Sequence, residues 1–423
     1  MCGWRATNSR LERFASPRSS KFWYVHGCIP AVLTGAAPMT SDISQEKSKQ
    51  ENLDRDKADP QRPGSAVAAT QDAIARRHLG GTDLDVPVLG FGTAPLGDLY
   101  QRLDEDAALA TIAAAVEGGI RLFDSSPLYG SGLAEHRLGT GLRRLPRDEV
   151  IVSTKVGRVM DPWRPSPAPV SSDGAKGTVK DVAAPGFAGG LPHRARFDYS
   201  YDGTLRSLEQ SLLRLGTDHV EIVLVHDIDV WTHGADAIEG RVADVMKGAY
   251  PALRRLRDEG VVRAIGIGVN EADMCERFVR MADIDCVLLA GRYSLLEQPA
   301  LESFLPLALE RKVGVMLGGV FNSGILATGA VPGARYNYKP APQPIMDRVA
   351  AIEAVCEAHG VPLAKAAMQF ALGHPAVATL ILGGVAPEEV RANIAAFATP
   401  VPTALWADLK QKGLLQSEAP VPG

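Results

Sequence analysis

Four ionisable side chains near the ends of three predicted β-strands are the residues whose types and spacing point to chemistry. They are Asp124, Tyr129, Lys155 and His226. Singly, each has an ordinary explanation, because an Asp after a strand is often a turn or cap residue and a His there often lies in the core. When parallel strands close into a barrel, however, residues at their carboxyl ends meet at one rim. Taken together, the four predict a site for proton transfer.

Tyr129 is the residue in this set that would carry the proton. A tyrosine has a pKa near 10 and is a poor acid or base at neutral pH, unless a buried cation stabilises its phenolate and lowers the pKa. Lys155 supplies such a cation, and Asp124 supplies the counter-charge that a buried ammonium needs. We expect His226 to orient the substrate oxygen and to relay the proton.

The elements that must position these residues are repeated β-α units, which begin near residue 79. Short β-branched runs alternate with stretches of apolar spacing near 3.6, as in Leu205, Leu208 and Leu212. An open doubly wound sheet would require G-x-G-x-x-G after the first strand, whereas the sequence there is GFGTAPLG. The sequence therefore predicts an α/β protein with a (β/α)8 TIM-barrel fold. The eight strands are expected at residues 86–92, 120–124, 150–155, 220–226, 262–268, 286–290, 313–318 and 378–383.

Two further features belong to the predicted barrel. Residues 69–86, with Gly80 and Gly81 between short apolar runs, predict an N-terminal β-hairpin that closes the barrel floor. The long loop after strand three, residues 156–199, is rich in Pro, Gly, Ser and Ala and carries Trp163, Phe187 and Phe197. A loop of this length is usually functional or disordered, so we interpret it as a substrate lid, with a surface insertion as the alternative.

Residues 1–70 differ from the barrel region, residues 71–423, in having a polar, charged composition without apolar periodicity. They predict a disordered leader, which is either a stretch upstream of a true start at Met39 or an organellar targeting segment.

Composition narrows the functional classes. The net charge of -4 and the pI near 6.2 favour a small-molecule substrate over nucleic acid or an anionic membrane. No uninterrupted apolar run is long enough to span a membrane. The five cysteines are scattered without metal-ligand spacing, so no metal site is expected and a reducing, cytoplasmic location fits. We expect a monomer or a small homo-oligomer.

Several segments of the barrel region resemble the aldo-keto reductase superfamily. They are GFGTAPLG, RLFDSSPLYGSGLAEHRLG, VSTKVG, VEIVLVHD, VRAIGIGVN, FNSGIL and APEEVRAN, within residues 79–397. The superfamily's catalytic Asp, Tyr, Lys and His match Asp124, Tyr129, Lys155 and His226. The resemblance implies hydride transfer between the substrate and a nicotinamide cofactor.

A narrower resemblance is carried by FDYSYDGTLRSLEQSLLRLG, LVHDID and GAYPALRRLRDEG. These segments look most like the branch that contains D-threo-aldose 1-dehydrogenases (L-fucose or L-galactose dehydrogenases) and pyridoxal 4-dehydrogenases. This branch implies NAD-dependent oxidation of a sugar, or of an aldehyde such as pyridoxal, and a lactone as the product of a cyclic hemiacetal.

The resemblance also suggests where the cofactor binds. Many relatives have Ser-Asn after strand five, where this chain has Val269 and Asn270, and a Gln of strand six is replaced by Ala290. The family's Arg for the 2′-phosphate of NADP matches Glu389, which favours NAD and leaves NADP as the alternative. The expected cofactor contacts are Gly92, Thr93, Asn270, Tyr293, Gly383, Glu389 and Asn393.

Two other functions remain open at this point. One is a general NADPH-dependent aldehyde or ketone reductase, because the same four residues serve both reaction directions. The other is a non-enzymatic regulatory subunit on the same fold, like the β-subunits of potassium channels, since fold does not fix function.

Overall fold

A computed structural model of the chain describes residues 74–162 and 186–423. These residues belong to one compact unit. The expected leader over residues 1–70 lies outside the described part of the chain, and so does Trp163.

The strands of the described residues fall into a barrel and three two-stranded sheets. In chain order they are β1 (Arg76–His78), β2 (Asp85–Pro87), β3 (Leu89–Gly92), β4 (Leu122–Asp124), β5 (Ile151–Val156), β6 (Arg158–Asp161), β7 (Arg194–Phe197), β8 (Ile222–His226), β9 (Ala264–Val269), β10 (Cys286–Ala290), β11 (Gly314–Gly318), β12 (Arg335–Tyr336), β13 (Lys339–Pro340) and β14 (Val377–Leu382).

Eight parallel strands form a closed barrel in the order β3-β4-β5-β8-β9-β10-β11-β14, and β14 pairs with β3 to complete the ring. This confirms the predicted TIM-barrel fold. The first predicted strand, residues 86–92, is divided in the structure, because its beginning belongs to the hairpin strand β2 and only β3 enters the barrel.

Helices connect the barrel strands and cover the outside of the sheet. They are α1 (Glu105–Glu117), α2 (Leu133–Leu142), α3 (Tyr201–Leu215), α4 (Val230–His233), α5 (Ile238–Asp244), α6 (Tyr250–Asp258), α7 (Ala272–Met281), α8 (Phe304–Glu310), α9 (Ile325–Thr328), α10 (Gln343–Ala358), α11 (Leu363–Ala371), α12 (Pro387–Ala395) and α13 (Thr403–Gln411). None of the described helices is both long and apolar enough to cross a membrane.

The predicted hairpin at the barrel floor is present. β1 pairs antiparallel with β2, and Leu79, Leu84 and Val86 pack into the apolar cluster that fills the barrel interior. Gly80 between the strands has a φ of 61°, and a Cβ there would lie 2.4 Å from the backbone nitrogen of Gly314. The hairpin therefore approaches the barrel closely at a position that only glycine fits.

Strand alternation decides which side chains point into the barrel. In β8, Ile222 and Leu224 belong to the interior cluster, whereas Val223 and Val225 pack outward under the helices. His226 lies two residues after Leu224, so its side chain also points into the barrel. The same alternation in β4 and β5 places Asp124 and Lys155 above the apolar filling, at the carboxyl end of the barrel.

The connection after the third barrel strand contains regular structure that the sequence analysis did not predict. β6 and β7 pair antiparallel, with Arg158 opposite Phe197. Phe187 makes an isolated β-bridge with Leu99. The described part of this connection is thus anchored to the barrel mouth.

Candidate active site

A buried ion pair forms the base of the site. The Nζ atom of Lys155 donates to Oδ2 of Asp124 at 2.6 Å and to the carbonyl oxygen of Ser125 at 2.8 Å. The hydroxyl of Ser153 donates to the other Asp124 oxygen at 2.9 Å. Burial alone would lower the pKa of Lys155, but the Asp124 carboxylate and the Tyr129 oxygen outweigh it and raise the pKa above its usual value. Lys155 is therefore a permanent cation at this position.

Tyr129 lies above this pair. It begins a short 3-10 turn, Tyr129–Gly132, in which Gly130 and Ser131 have φ of 60° and 53°. The Nζ atom of Lys155 is 4.9 Å from the centre of the tyrosine ring, and the Phe187 ring stacks on the ring at 6.1 Å. Burial raises the pKa of Tyr129 and Lys155 opposes this only in part, so the phenol is more weakly acidic than the sequence led us to expect.

His226 completes the group of four. Its ring meets the Tyr129 ring edge-on, with 5.9 Å between the centroids. Burial, and then the positive charges of Arg158 and Lys155, lower the pKa of His226 well below its usual value. The imidazole is therefore neutral near pH 7, so only one of its two nitrogens carries a hydrogen.

Ser126 lies beside Nδ1 of His226 and bears on which ring nitrogen carries that hydrogen. Its Oγ lies 3.0 Å from Nδ1 of His226 and accepts a hydrogen bond from the backbone N–H of Leu128 at 3.1 Å. Nε2, the other ring nitrogen, faces the Asp227 carboxylate, which can only accept, so we infer that Ser126 donates its hydroxyl hydrogen to Nδ1. We infer that Nε2 bears the hydrogen and can donate it to a substrate oxygen.

Asp227 and Arg158 flank His226, and the sequence analysis missed both. Oδ2 of Asp227 lies 2.8 Å from Nη2 of Arg158, and Oδ1 lies 3.4 Å from Nε2 of His226. The guanidinium of Arg158 is stacked over the Phe197 ring at 4.2 Å. The motif LVHDID, with a carboxylate directly after the histidine, was the available signal.

Asn270 is one of the expected cofactor contacts that the structure places at the mouth. Its backbone N–H and its Nδ2 both donate to Oδ2 of the buried Asp229, at 2.9 and 3.3 Å. A carboxylate only accepts, so this contact fixes the orientation of the amide. Oδ1 of Asn270 is then the side-chain atom able to accept from the carboxamide of a nicotinamide.

Three further expected contacts, Gly92, Thr93 and Gly383, lie together at the junction of β3 and β14. A Cβ on Gly383 would come within 2.7 Å of Pro95 and 3.3 Å of the Gly92 carbonyl oxygen. Thr93, directly after β3, is buried and donates from Oγ1 to the Ser125 hydroxyl at 2.8 Å. Thr93 thus supports the strand ends around Lys155.

Glu389 and Asn393 lie four residues apart on α12 and therefore share one face of the helix. Glu389 is exposed, and its Oε2 accepts from the backbone N–H of Val385 at 2.8 Å. This hydrogen bond holds the carboxylate at the helix N-terminus and leaves the second oxygen for a ligand.

Tyr293 is the expected contact that the structure does not bring to the mouth. Its side chain is 1% exposed and packs in the core against Phe370, with 5.2 Å between the ring centroids, and against His374. We therefore leave Tyr293 out of the cofactor site.

A solvent-open cleft at the mouth has room for part of a dinucleotide, and of the expected cofactor contacts Asn270 lines it. Its volume is about 340 Å³, and it is lined by amide, hydroxyl, guanidinium and aromatic side chains together with two glycines. Such a set suits the amide, ribose and phosphate groups of a nicotinamide dinucleotide. The lining residues are Trp231, Asn270, Ala290, Gly291, Arg292, Gly319, Asn322, Ser323, Asn337 and Tyr338.

Comparison with known proteins assigns the family. The model of the aldo/keto reductase family matches residues 88–413, so the chain belongs to the aldo/keto reductase family and is an oxidoreductase. Members of this family bind a nicotinamide cofactor.

The chain aligns with almost the whole length of individual relatives. The chain is 42% identical to the pyridoxal 4-dehydrogenase of Microbacterium luteolum, over 81% of this chain and 98% of the relative. It is 39% identical to the D-threo-aldose 1-dehydrogenase of a Pseudomonas species, over 82% and 99%. A solved holo structure of an aldo-keto reductase from Bacillus halodurans superposes with a TM-score of 0.62 at 26% identity, covering 82% of this chain and 98% of that one.

Proposed function

We propose that this chain catalyses the NAD-dependent oxidation of an aldose, or of a related aldehyde such as pyridoxal, and that a cyclic hemiacetal substrate yields a lactone. The names of the two relatives described above support the substrate class. The observation that carries the proposal is the contact of Lys155 with Asp124 at 2.6 Å directly below the ring of Tyr129.

Each residue of the group has a distinct task in the proposed reaction. The hemiacetal hydroxyl of the substrate gives its proton to Tyr129 in its phenolate form, which the raised pKa of this phenol makes the minor form near pH 7 and which increases as the pH rises. Nε2–H of His226 donates a hydrogen bond that orients the substrate oxygen. Lys155 stabilises the phenolate, and Asp124 keeps Lys155 charged and in place. When bound, a nicotinamide would supply the acceptor for the hydride that leaves the same carbon with its bonding electrons, so that a C=O bond would replace the C–H and O–H bonds.

Residues around the mouth would hold the cofactor. Oδ1 of Asn270 would accept from the carboxamide, and Arg292, whose Nε donates to the Asn270 carbonyl at 2.9 Å, borders the same cleft. Glu389 and Asn393 would face the adenosine half.

The preference for NAD over NADP rests on the first turn of α12, which carries Glu388 and Glu389. Two carboxylates would repel a 2′-phosphate, whereas a free ribose hydroxyl can donate to Glu389. We expect kcat/KM with NAD to exceed that with NADP at least tenfold, which corresponds to about 1.4 kcal/mol.

The variant Glu389→Gln removes the charge but keeps an oxygen that can accept from Val385. It should lower the ratio of kcat/KM with NAD to kcat/KM with NADP several-fold. Glu310→Gln, an exposed change on α8, should leave this ratio unchanged. Equal efficiency of the wild-type protein with NADP would contradict the proposed cofactor preference.

The reaction itself is tested by following cofactor absorbance with L-fucose, L-galactose, D-arabinose and pyridoxal in the presence of NAD, and by identifying the product by mass spectrometry. Tyr129→Phe should lower kcat by roughly 10²- to 10⁴-fold, the usual contribution of a general acid or base, while NADH still binds in a fluorescence titration. Near wild-type turnover of Tyr129→Phe would remove this residue from the mechanism.

A further inference from the structure

Asp227 is a carboxylate next to the reacting group that the proposed mechanism does not use. It follows β8 directly and has a φ of 53°, in the left-handed region that residues other than glycine seldom adopt. Its side chain is 13% exposed. A charged, largely buried residue held in this conformation beside a candidate active site calls for a functional explanation.

Arg158 fixes one oxygen of this carboxylate. Nη2 of Arg158 lies 2.8 Å from Oδ2 of Asp227, and the side chain of Arg158, 9% exposed, is held from the other side by the Phe197 ring at 4.2 Å. The pair is neutral as a whole, which suits an uncharged polar ligand better than an anionic one.

The other oxygen of Asp227 remains able to accept a hydrogen bond. Oδ1 lies 3.4 Å from Nε2 of His226, beyond the usual 2.7 to 3.2 Å range of an N–H···O bond. Nε2 is the nitrogen that should face the substrate oxygen. A second hydroxyl of the substrate, close to the reacting one, would therefore come within reach of Oδ1.

We propose that Oδ1 of Asp227 accepts a hydrogen bond from a substrate hydroxyl one or two carbons away from the reacting carbon, and that Asp227 thereby selects hydroxylated substrates. The inference rests on the proposed function. It also fits the substrates in the names of the two relatives, since an aldose has a hydroxyl on C2 beside C1 and pyridoxal has a ring hydroxyl next to the carbon that bears its aldehyde.

The test compares each substrate with its deoxy analogue, L-fucose with 2-deoxy-L-fucose and pyridoxal with 3-deoxypyridoxal, in the wild-type protein and in Asp227→Asn. We expect the wild-type kcat/KM to favour the hydroxylated member at least tenfold, because a site built around a substrate hydroxyl rejects the analogue that lacks it. In Asp227→Asn this preference should fall by about tenfold, with little change in kcat/KM for the deoxy substrate.

Two further variants control for folding and for nonspecific effects. Asp227→Gly deletes the carboxylate but tolerates the positive φ, so it should lose the preference even if Asp227→Asn proves unstable. Asp218→Asn makes the same carboxylate-to-amide change at a side chain that is 89% exposed and should keep the wild-type preference.

The outcomes separate this inference from the proposed function. An unchanged preference in both Asp227 variants, or an equal loss on hydroxylated and deoxy substrates, would overturn the role of Asp227 and leave the proposed function standing. Absence of NAD-linked turnover of every substrate by the wild-type protein would instead overturn the proposed function and this inference with it.

Discussion

The hydrogen bond from Ser126 to His226 is the single contact that most constrains the chemistry of the site. His226 is neutral, so its use depends on which nitrogen carries the hydrogen, and the only side-chain hydrogen bond that the structure shows for its ring, within the described residues, joins Nδ1 to Ser126 at 3.0 Å. Without this hydroxyl, Nδ1 would lose the hydrogen bond that favours one tautomer. Ser126 thus acts as a positioning residue.

The variant Ser126→Ala should therefore impair the reaction without disturbing the fold. We expect kcat/KM to fall about three- to tenfold, the equivalent of one lost hydrogen bond. Long-range ¹H–¹⁵N NMR of the His226 ring should show a shift from one tautomer to a mixture, and Ser126→Thr, which keeps the hydroxyl, should restore both measurements. An unchanged ring spectrum in Ser126→Ala would show that another group sets the tautomer.

Residue types at strand ends were sufficient to predict which four side chains meet, because the carboxyl ends of all barrel strands lie at one rim. Their partners could not be predicted in the same way. Ser126 contacts a residue 100 positions later, and Arg158 contacts Asp227 from β6, a strand whose partner β7 lies more than 30 residues further along the chain. Tyr293 shows the converse, since it follows a strand as a mouth residue does, yet the loop turns its ring into the core.

At the scale of elements, a close approach between two turns positions Tyr129. The short 3-10 helix Ala94–Gly97 packs against the turn Tyr129–Gly132. A Cβ on Gly97 would lie 2.6 Å from the carbonyl carbon of Tyr129 and 2.7 Å from the nitrogen of Gly130. These atoms are backbone and cannot rotate away.

Gly97→Ala should accordingly displace the Tyr129 turn. We expect kcat to fall at least tenfold, and the melting temperature to drop by several degrees, since overpacking costs typically about 1 to 3 kcal/mol. Gly240→Ala is the matched control, because a Cβ at this α5 position meets nothing within 4 Å. Wild-type kcat in Gly97→Ala would mean that the two turns can separate without moving the phenol.

The existence of each barrel strand followed from the sequence, whereas the strand ends did not. The hydrophobic run 86–92 reads as one strand, but Val88 separates two strands that belong to different sheets. The alternation of apolar residues cannot show that β2 pairs with the hairpin strand β1 while β3 pairs within the barrel. In the long connection, the pairing of β6 with β7 joins residues more than 30 positions apart, which local patterns cannot reveal.

For the whole molecule, chemistry and stability are placed at opposite ends of the barrel. The hairpin closes the floor over an apolar interior, and the polar residues lie at the carboxyl ends of the strands. This division is general for the fold, so a family resemblance in scattered motifs was enough to predict the architecture. The separate assignment of residues 1–70 as a leader stays a prediction.

The buried histidines predict how the stability of the whole molecule depends on pH. Burial lowers the pKa of His374 and of His233 to about 4, with Arg241 and Arg158 adding to the effect on His233, and His226 is also lowered. The unfolded chain protonates these histidines near pH 6.5, whereas the folded chain protonates them only at lower pH. The stability contributed by the neutral imidazoles is therefore fully present above pH 6.5. It is lost as the pH falls, by up to about 1.4 kcal/mol per pH unit for each histidine.

Urea unfolding at pH 7.5, 6.5 and 5.5 should show a falling free energy of unfolding, and His374→Gln, which lies outside the site, should make the fall less steep. A free energy of unfolding that stays constant over this range would show that the three imidazoles take up protons in the folded protein.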